Sequence, residues 1–185
     1  MQKITDLILS PSNLSHLQSI YVKLLLDVMG RALEAATQLD ETMRGEIAVL
    51  KPGFIFEMSV MPSGPGIVMQ KQQDGSMRYL GGAAFSKPDL RIQIKHMAHA
   101  FLLLSFQEST ASAFANDRMV MDGDISLALK IVRCLNRLES FILPKAIAKR
   151  AVKRYPSITL REKTFLGALI YVRLAANFAK RVINV

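Results

Sequence analysis

The hydrophobic positions change period twice along the chain. From Asn13 to about Leu39, the residues Leu14, Leu17, Tyr21, Leu24, Leu25, Val28 and Leu33 recur mostly at steps of three, four and one, which predicts an amphipathic helix. Ser12 or Asn13 is available as its cap, and Pro52-Gly53 ends the helical region. The period then becomes two. Phe54, Phe56, Met58 and Val60 share one face of a strand whose other face carries Glu57 and Ser59. The turn PSGPG leads into a strand over IVMQKQ, and Asp74-Gly75 predicts a hairpin into SMRYL. A fourth strand, LRIQIK, points Leu90, Ile92 and Ile94 inward and Arg91, Gln93 and Lys95 outward. The pattern reads as antiparallel sheet with one wet and one covered face.

Helical spacing returns in HMAHAFLLLSFQ and TASAFAND, and a short strand covers Met119–Met121. From Ile125 to Leu143 the polar residues Ser126, Lys130, Arg133, Arg137 and Ser140 form a narrow stripe, so most of this helix is expected to be covered. Pro144 opens the segment PKAIAKRAVKRY, Pro156 stops it, and a last helix is predicted from about Thr159 to Val182. There is no internal repeat and no low-complexity stretch.

With 185 residues, half of them hydrophobic, the chain suits one domain with a real core and not a disordered segment. No uncharged apolar run reaches the roughly 18 residues of a bilayer span. The N-terminal stretch has no small-residue cleavage site, so no signal peptide is expected. Cys134 is the only cysteine, which rules out a disulfide within the chain and fits a reducing, cytoplasmic setting. The net charge of +9 is unevenly spread: residues 1–143 hold 14 Lys/Arg and 14 Asp/Glu, whereas residues 144–185 hold 10 Lys/Arg and a single acid, Glu162. A neutral body with a basic tail calls for an anionic partner: a membrane surface, nucleic acid or an acidic protein.

Candidate chemistry is sparse. Asp122-Gly123-Asp124 has no nearby histidine or further carboxylate for a metal, so it reads as a strand-to-helix joint with Asp124 as the cap. His96 and His99 share a helix start without a third ligand. Cys134 sits among Ile131, Val132, Leu135 and Leu138, the setting of a buried structural thiol. Neither Gly64-Pro65-Gly66 nor Gly81-Gly82 opens a helix as a phosphate loop does. No catalytic residues, metal site or cofactor are expected. Seven of the ten methionines (58, 61, 69, 77, 97, 119 and 121) lie in the sheet region, where they suit either core filling or a cavity for ligands of variable shape.

The stretch KPDLRIQIKHMAHAFLLLSF, followed by AFANDRMVMDGDISLALKI, resembles the sterol carrier protein 2 family of lipid-binding domains. The resemblance rests on Pro88-Asp89 before the strand Leu90–Lys95, the apolar helix Phe101–Phe106, the strand Met119–Met121, Gly123-Asp124 and Leu127-Ala128-Leu129. It covers roughly Pro52 to Leu143. Asp117-Arg118 stands where the family often has Gly-Lys, and the C-terminus is RVINV in place of a peroxisomal signal. These departures imply a bacterial-type cytosolic relative, with ubiquinone-pathway accessory proteins that carry this domain as one branch.

The resemblance implies an α+β fold: a five-stranded, mostly antiparallel sheet covered by helices on one face around an apolar tunnel. Residues 1–51 form an N-terminal helical extension packed on the core, 52–143 the lipid-binding core, and 144–185 a basic segment and apolar helix of the same domain. The expected function is non-enzymatic binding and transfer of a lipid such as a sterol, fatty-acyl chain, phospholipid or quinone precursor. The expected lipid contacts are Phe54, Phe56, Met58, Val60, Leu90, Ile92 and Ile94 from the first and fourth strands. From later elements they are Phe101, Leu104, Met119, Met121, Leu127, Ile131 and Leu135. Lys145, Lys149, Arg150, Lys153 and Arg154 gather on one side of a helix and are expected to dock on anionic membrane. The last helix then serves as a lid or lies in the membrane interface. The alternative is an accessory scaffold for a lipid or quinone biosynthetic complex that holds an intermediate and recruits enzymes, with the helix Asn13–Leu39 as its partner surface. Specific nucleic-acid binding is not expected, because the aromatics of the tail lie mostly in its apolar helix.

Overall fold

The computed structural model describes residues 11–82 and 86–142, together with Thr164, 167–169 and 171–172. The elements are α1 (Pro11–Leu39), α2 (Glu41–Ile47), β1 (Ile55–Val60), β2 (Gly66–Lys71), β3 (Met77–Gly81), β4 (Leu90–Ile94), α3 (Met97–Leu104), α4 (Thr110–Ala115), β5 (Met119–Asp122) and α5 (Ile125–Ile142). The five strands form one sheet in the order β3-β2-β1-β4-β5. The fold class is α+β, as the resemblance implied.

The sheet departs from a purely antiparallel reading at its centre, where β1 and β4 run parallel; the other three pairings are antiparallel. Parallel pairing needs a long return path, here the β2–β3 hairpin. Asp89 fixes the register. Its N–H donates to Ile55 O and its Oδ2 accepts from Ile55 N–H, both at 2.9 Å. The Ile55 N–H on its Oδ2, with Lys51 at 3.2 Å, holds its carboxyl below the usual carboxylate range. The Pro-Asp dipeptide is thus the splice between the two parallel strands.

Alternation puts Phe56, Met58 and Val60 of β1 on the same face as Ile67 and Met69 of β2 and Leu90, Ile92 and Ile94 of β4, and all eight are buried. Glu57, Ser59, Arg91 and Gln93 take the other face, where Arg91 pairs with Glu57 at 3.3 Å. The hairpin turns at Gly75, whose φ of +86° suits the glycine that the sequence places there.

The helical region before β1 is two helices, not one. Asp40 interrupts it: its side chain accepts from the N–H groups of Thr42 and Met43 and so caps α2. Helix α1 already includes Pro11, so Ser12 and Asn13 lie within it and are not its cap. The buried face also differs from the expected one. Val22, Leu26, Leu33 and Ala36 are buried, whereas Leu17, Tyr21 and Leu24 are 51%, 37% and 60% exposed. The second half of α1 lies against β3, where small residues let it come close. Tyr79 O–H donates to Asp27 Oδ1 at 3.0 Å, the Arg31 guanidinium stacks over the Tyr79 ring at 5.4 Å, and Thr37 Oγ1 accepts from Met77 N–H at 3.0 Å.

Candidate functional site: an apolar groove beside the edge strand

Edge strand β5 carries Met119 and Met121 opposite Ile94 and Ile92 of β4. Their side chains would face solvent at the edge of the sheet unless something covered them. Two helices stand beside them without closing the gap, and a cavity of about 310 Å³ remains. Ile92, Met119 and Met121 form its floor. Ala128, Val132 and Asn136 of α5 make one wall, Thr110, Ala111 and Phe114 of α4 the other, and Ser109, Ile125 and Leu129 complete it. Phe114, Ile125 and Leu129 are 51%, 60% and 53% exposed, so the mouth has an apolar rim.

Local sequence sets this geometry. Gly123 links β5 to α5 at φ +126°, and a Cβ there would sit 2.8 Å from Asp89 O. Asp124 Oδ1 accepts from Ser126 N–H at 2.6 Å and Leu127 N–H at 3.3 Å, capping α5. Asp-Gly-Asp is the joint that launches the groove wall from the groove floor. On the opposite wall, Ser109 caps α4 by accepting from Ser112 N–H at 3.2 Å.

The expectation that most of α5 is covered holds for one side only. Ile131, Cys134, Leu135, Leu138 and Phe141 are buried, but Ile125 and Leu129 are not, because their face borders the groove. Of the expected lipid contacts, Ile92, Met119 and Met121 line the cavity. Phe54, Phe56, Met58, Val60, Leu90, Ile94, Leu104, Ile131 and Leu135 lie in the buried core, and Phe101 and Leu127 pack against it half-buried. Ile125, Leu129, Val132, Asn136 and the α4 residues lay outside the expected set. Their signal was available: Ile125, Leu129, Val132 and Asn136 follow one another at steps of four, three and four, a single helix face. Lys145, Lys149, Arg150, Lys153 and Arg154 lie outside the described residues.

Cys134 is buried, and desolvation with the nearby Glu46 and Asp40 pushes its thiol up to about 12, well away from a nucleophilic thiolate. The His96 and His99 rings meet edge to face at 5.3 Å. Among the described residues there is no group of three or more His, Cys, Asp or Glu that would hold a metal, and no helix long and apolar enough to cross a membrane. Asp117 occupies the left-handed region at φ +55° and pairs with Lys95 at 2.6 Å.

No protein-family model and no curated protein matches the sequence. Among solved structures, the ubiquinone synthesis protein UbiJ-SCP2 is similar with a TM-score of 0.42 and 14% identity over 66% of this chain and 92% of that one. The sterol carrier protein domain 2 of Helicoverpa armigera gives a TM-score of 0.41 and 22% identity over 60% and 84%. Apo sterol carrier protein 2 of Yarrowia lipolytica gives 0.43 and 16% over 61% and 88%.

Proposed function

We propose that the protein is a non-enzymatic carrier that holds an apolar ligand in the groove between β5, α4 and α5. The observation that supports this most is the combination of a methionine and isoleucine floor with an exposed apolar mouth. A cavity of this lining gains from burying hydrocarbon, at roughly 25 cal/mol per Å² of ligand surface removed from water. Met119 and Met121 give the floor side chains that adapt to ligands of different shape. The class of ligand is a lipid: a sterol, fatty-acyl chain, phospholipid or isoprenoid quinone precursor. Delivery is completed by reversible docking of the basic segment, Lys145 to Arg154, on anionic membrane of the cytoplasmic side. Native mass spectrometry of the purified protein tests the carrier reading. Co-purified lipid supports it, and a protein that carries none and takes up no fluorescent fatty-acyl or sterol probe contradicts it.

A second reading, an accessory scaffold that recruits biosynthetic enzymes, is favoured by one observation. Leu17, Ile20 and Leu24 form an exposed apolar stripe on the first half of α1, with 51%, 51% and 60% of each accessible. Pull-down from cell extract separates the two. A stoichiometric enzyme partner lost on Leu17→Asp and Leu24→Asp supports the scaffold, whereas a free monomer that moves lipid between vesicles supports the carrier.

A further inference from the structure

The part of α5 that lines the groove ends at Asn136, but the helix and its groove-side arc continue to Ile142. Three residues beyond Asn136, Glu139 falls within the same arc as Ile125, Ala128, Leu129, Val132 and Asn136, about 4.5 Å along the helix axis. The exposed apolar residues Ile125 and Leu129 are at one end of this arc, and the half-buried Asn136 and Glu139 are at the other. Glu139 Oε2 is buried and has no hydrogen-bond partner. A carboxyl group in that position is costly unless something satisfies it, and most buried polar atoms in proteins are satisfied.

Among the described residues, nearby charges do not supply a partner. Arg137 is taken by Asp40 at 2.6 Å, and Lys130 and Arg133 are taken by Glu46 at 3.2 and 3.3 Å, all on the other side of α5. Across the groove, Glu108 is held by Arg118 at 3.0 Å. With desolvation acting alone, the Glu139 carboxyl is pushed up to about 7. It is therefore divided between two forms near neutral pH: a neutral acid able to donate to a hydroxyl or carbonyl oxygen, and an anion that repels another carboxylate.

We infer that Asn136 and Glu139 form the polar end of the groove, and that it selects an apolar chain bearing an uncharged hydrogen-bonding head, an alcohol or carbonyl, over one ending in a carboxylate. The inference rests on the apolar-ligand reading of the same groove and adds the class of head group. A ligand with such a head supplies a partner for Glu139, whereas a fatty-acid anion adds a second negative charge beside it, with no uncommitted cation on α5 among the described residues.

The test measures displacement of a neutral pyrene probe from the full chain by dodecanol and by dodecanoate at about pH 8, where Glu139 is ionised. Dodecanol is expected to bind at least about tenfold more tightly than dodecanoate, and E139Q, which removes the charge and keeps the shape, should bring the two within about twofold. Lowering the pH of the parent to about 5.5 should narrow the gap in the same way, since Glu139 is then protonated while dodecanoate remains mostly ionised in water. Equal affinities in the parent, or a gap that survives both E139Q and the lower pH, would overturn the inference. Failure of pyrene itself to bind would instead remove the groove reading, and this inference with it.

Discussion

Arg137 Nε donates to Asp40 Oδ2 at 2.6 Å, and the Asp40 carboxylate also accepts the N–H groups of Thr42 and Met43. One buried group thus caps α2 and fastens it to α5, the helix that forms the groove wall. The guanidinium also lies 5.1 Å from the centre of the Phe141 ring. Removing Asp40 would strand a cation whose side chain is only 16% exposed and uncap a helix at once. Asp40→Ala is expected to cost roughly 3–5 kcal/mol by urea unfolding, the range for a broken buried pair. Glu41→Ala, next in the chain but exposed, should stay within about 0.5 kcal/mol.

Gly30 decides how closely α1 approaches the sheet. A Cβ there would come within 2.6 Å of the Tyr79 ring. Alanine in place of glycine normally favours a helix by about 1 kcal/mol. Here the clash wins: Gly30→Ala should destabilise by roughly 1–3 kcal/mol, the cost of overpacking. Gly45, with nothing near its Cβ position, is the control, and Gly45→Ala should be stabilising.

Glu139 makes stability depend on pH in a defined direction. Its carboxyl is raised to about 7 in the folded chain from 4.5, so the native state holds the proton more tightly than the unfolded state. The contribution is present in full below pH 4.5 and is lost as pH rises through 7, an effect of order 3 kcal/mol. Unfolding of the parent and E139Q between these limits should diverge, with the variant lacking this fall. Parallel curves would show that Glu139 is hydrated or paired in the native state.

The alternating strands, the Asp-Gly hairpin and the Asp124 cap were legible in the sequence because each is local: a period of two, a turn dipeptide, a side chain beside its own backbone. The parallel β1–β4 pairing was not, because it depends on Asp89 reaching Ile55 across 34 positions of sequence. The buried side of α1 was misread for a related reason. Leucines drew attention to Leu17 and Leu24, but the helix is held at Gly30, Ala32, Ala35 and Ala36, small residues that carry little hydrophobic signal yet allow close approach. In the groove, the sheet side was legible from Ile92, Met119 and Met121. The rim was not, because an exposed Leu129 looks in sequence like any buried leucine of an amphipathic helix.

Docking on membrane is tested separately from ligand binding. Binding to vesicles rich in anionic lipid should weaken steeply with added salt. Charge reversal at Lys149, Arg150, Lys153 and Arg154 should reduce it strongly, since each basic residue near such a surface is worth about 1 kcal/mol. The fold, read by circular dichroism, should not change. Equal binding to neutral vesicles, or undiminished binding by the variant, would exclude this surface.

The most direct test of the carrier reading is a fluorescence titration of the full chain with a neutral pyrene probe, run beside Ala111→Trp. Ala111 lines the groove yet is exposed, so an indole there fills the cavity without disturbing the core. The parent should bind saturably at one site with a Kd of about micromolar order, and Ala111→Trp should weaken binding at least about tenfold. No saturable binding by the parent, or equal binding by the filled variant, would contradict the groove as the ligand site.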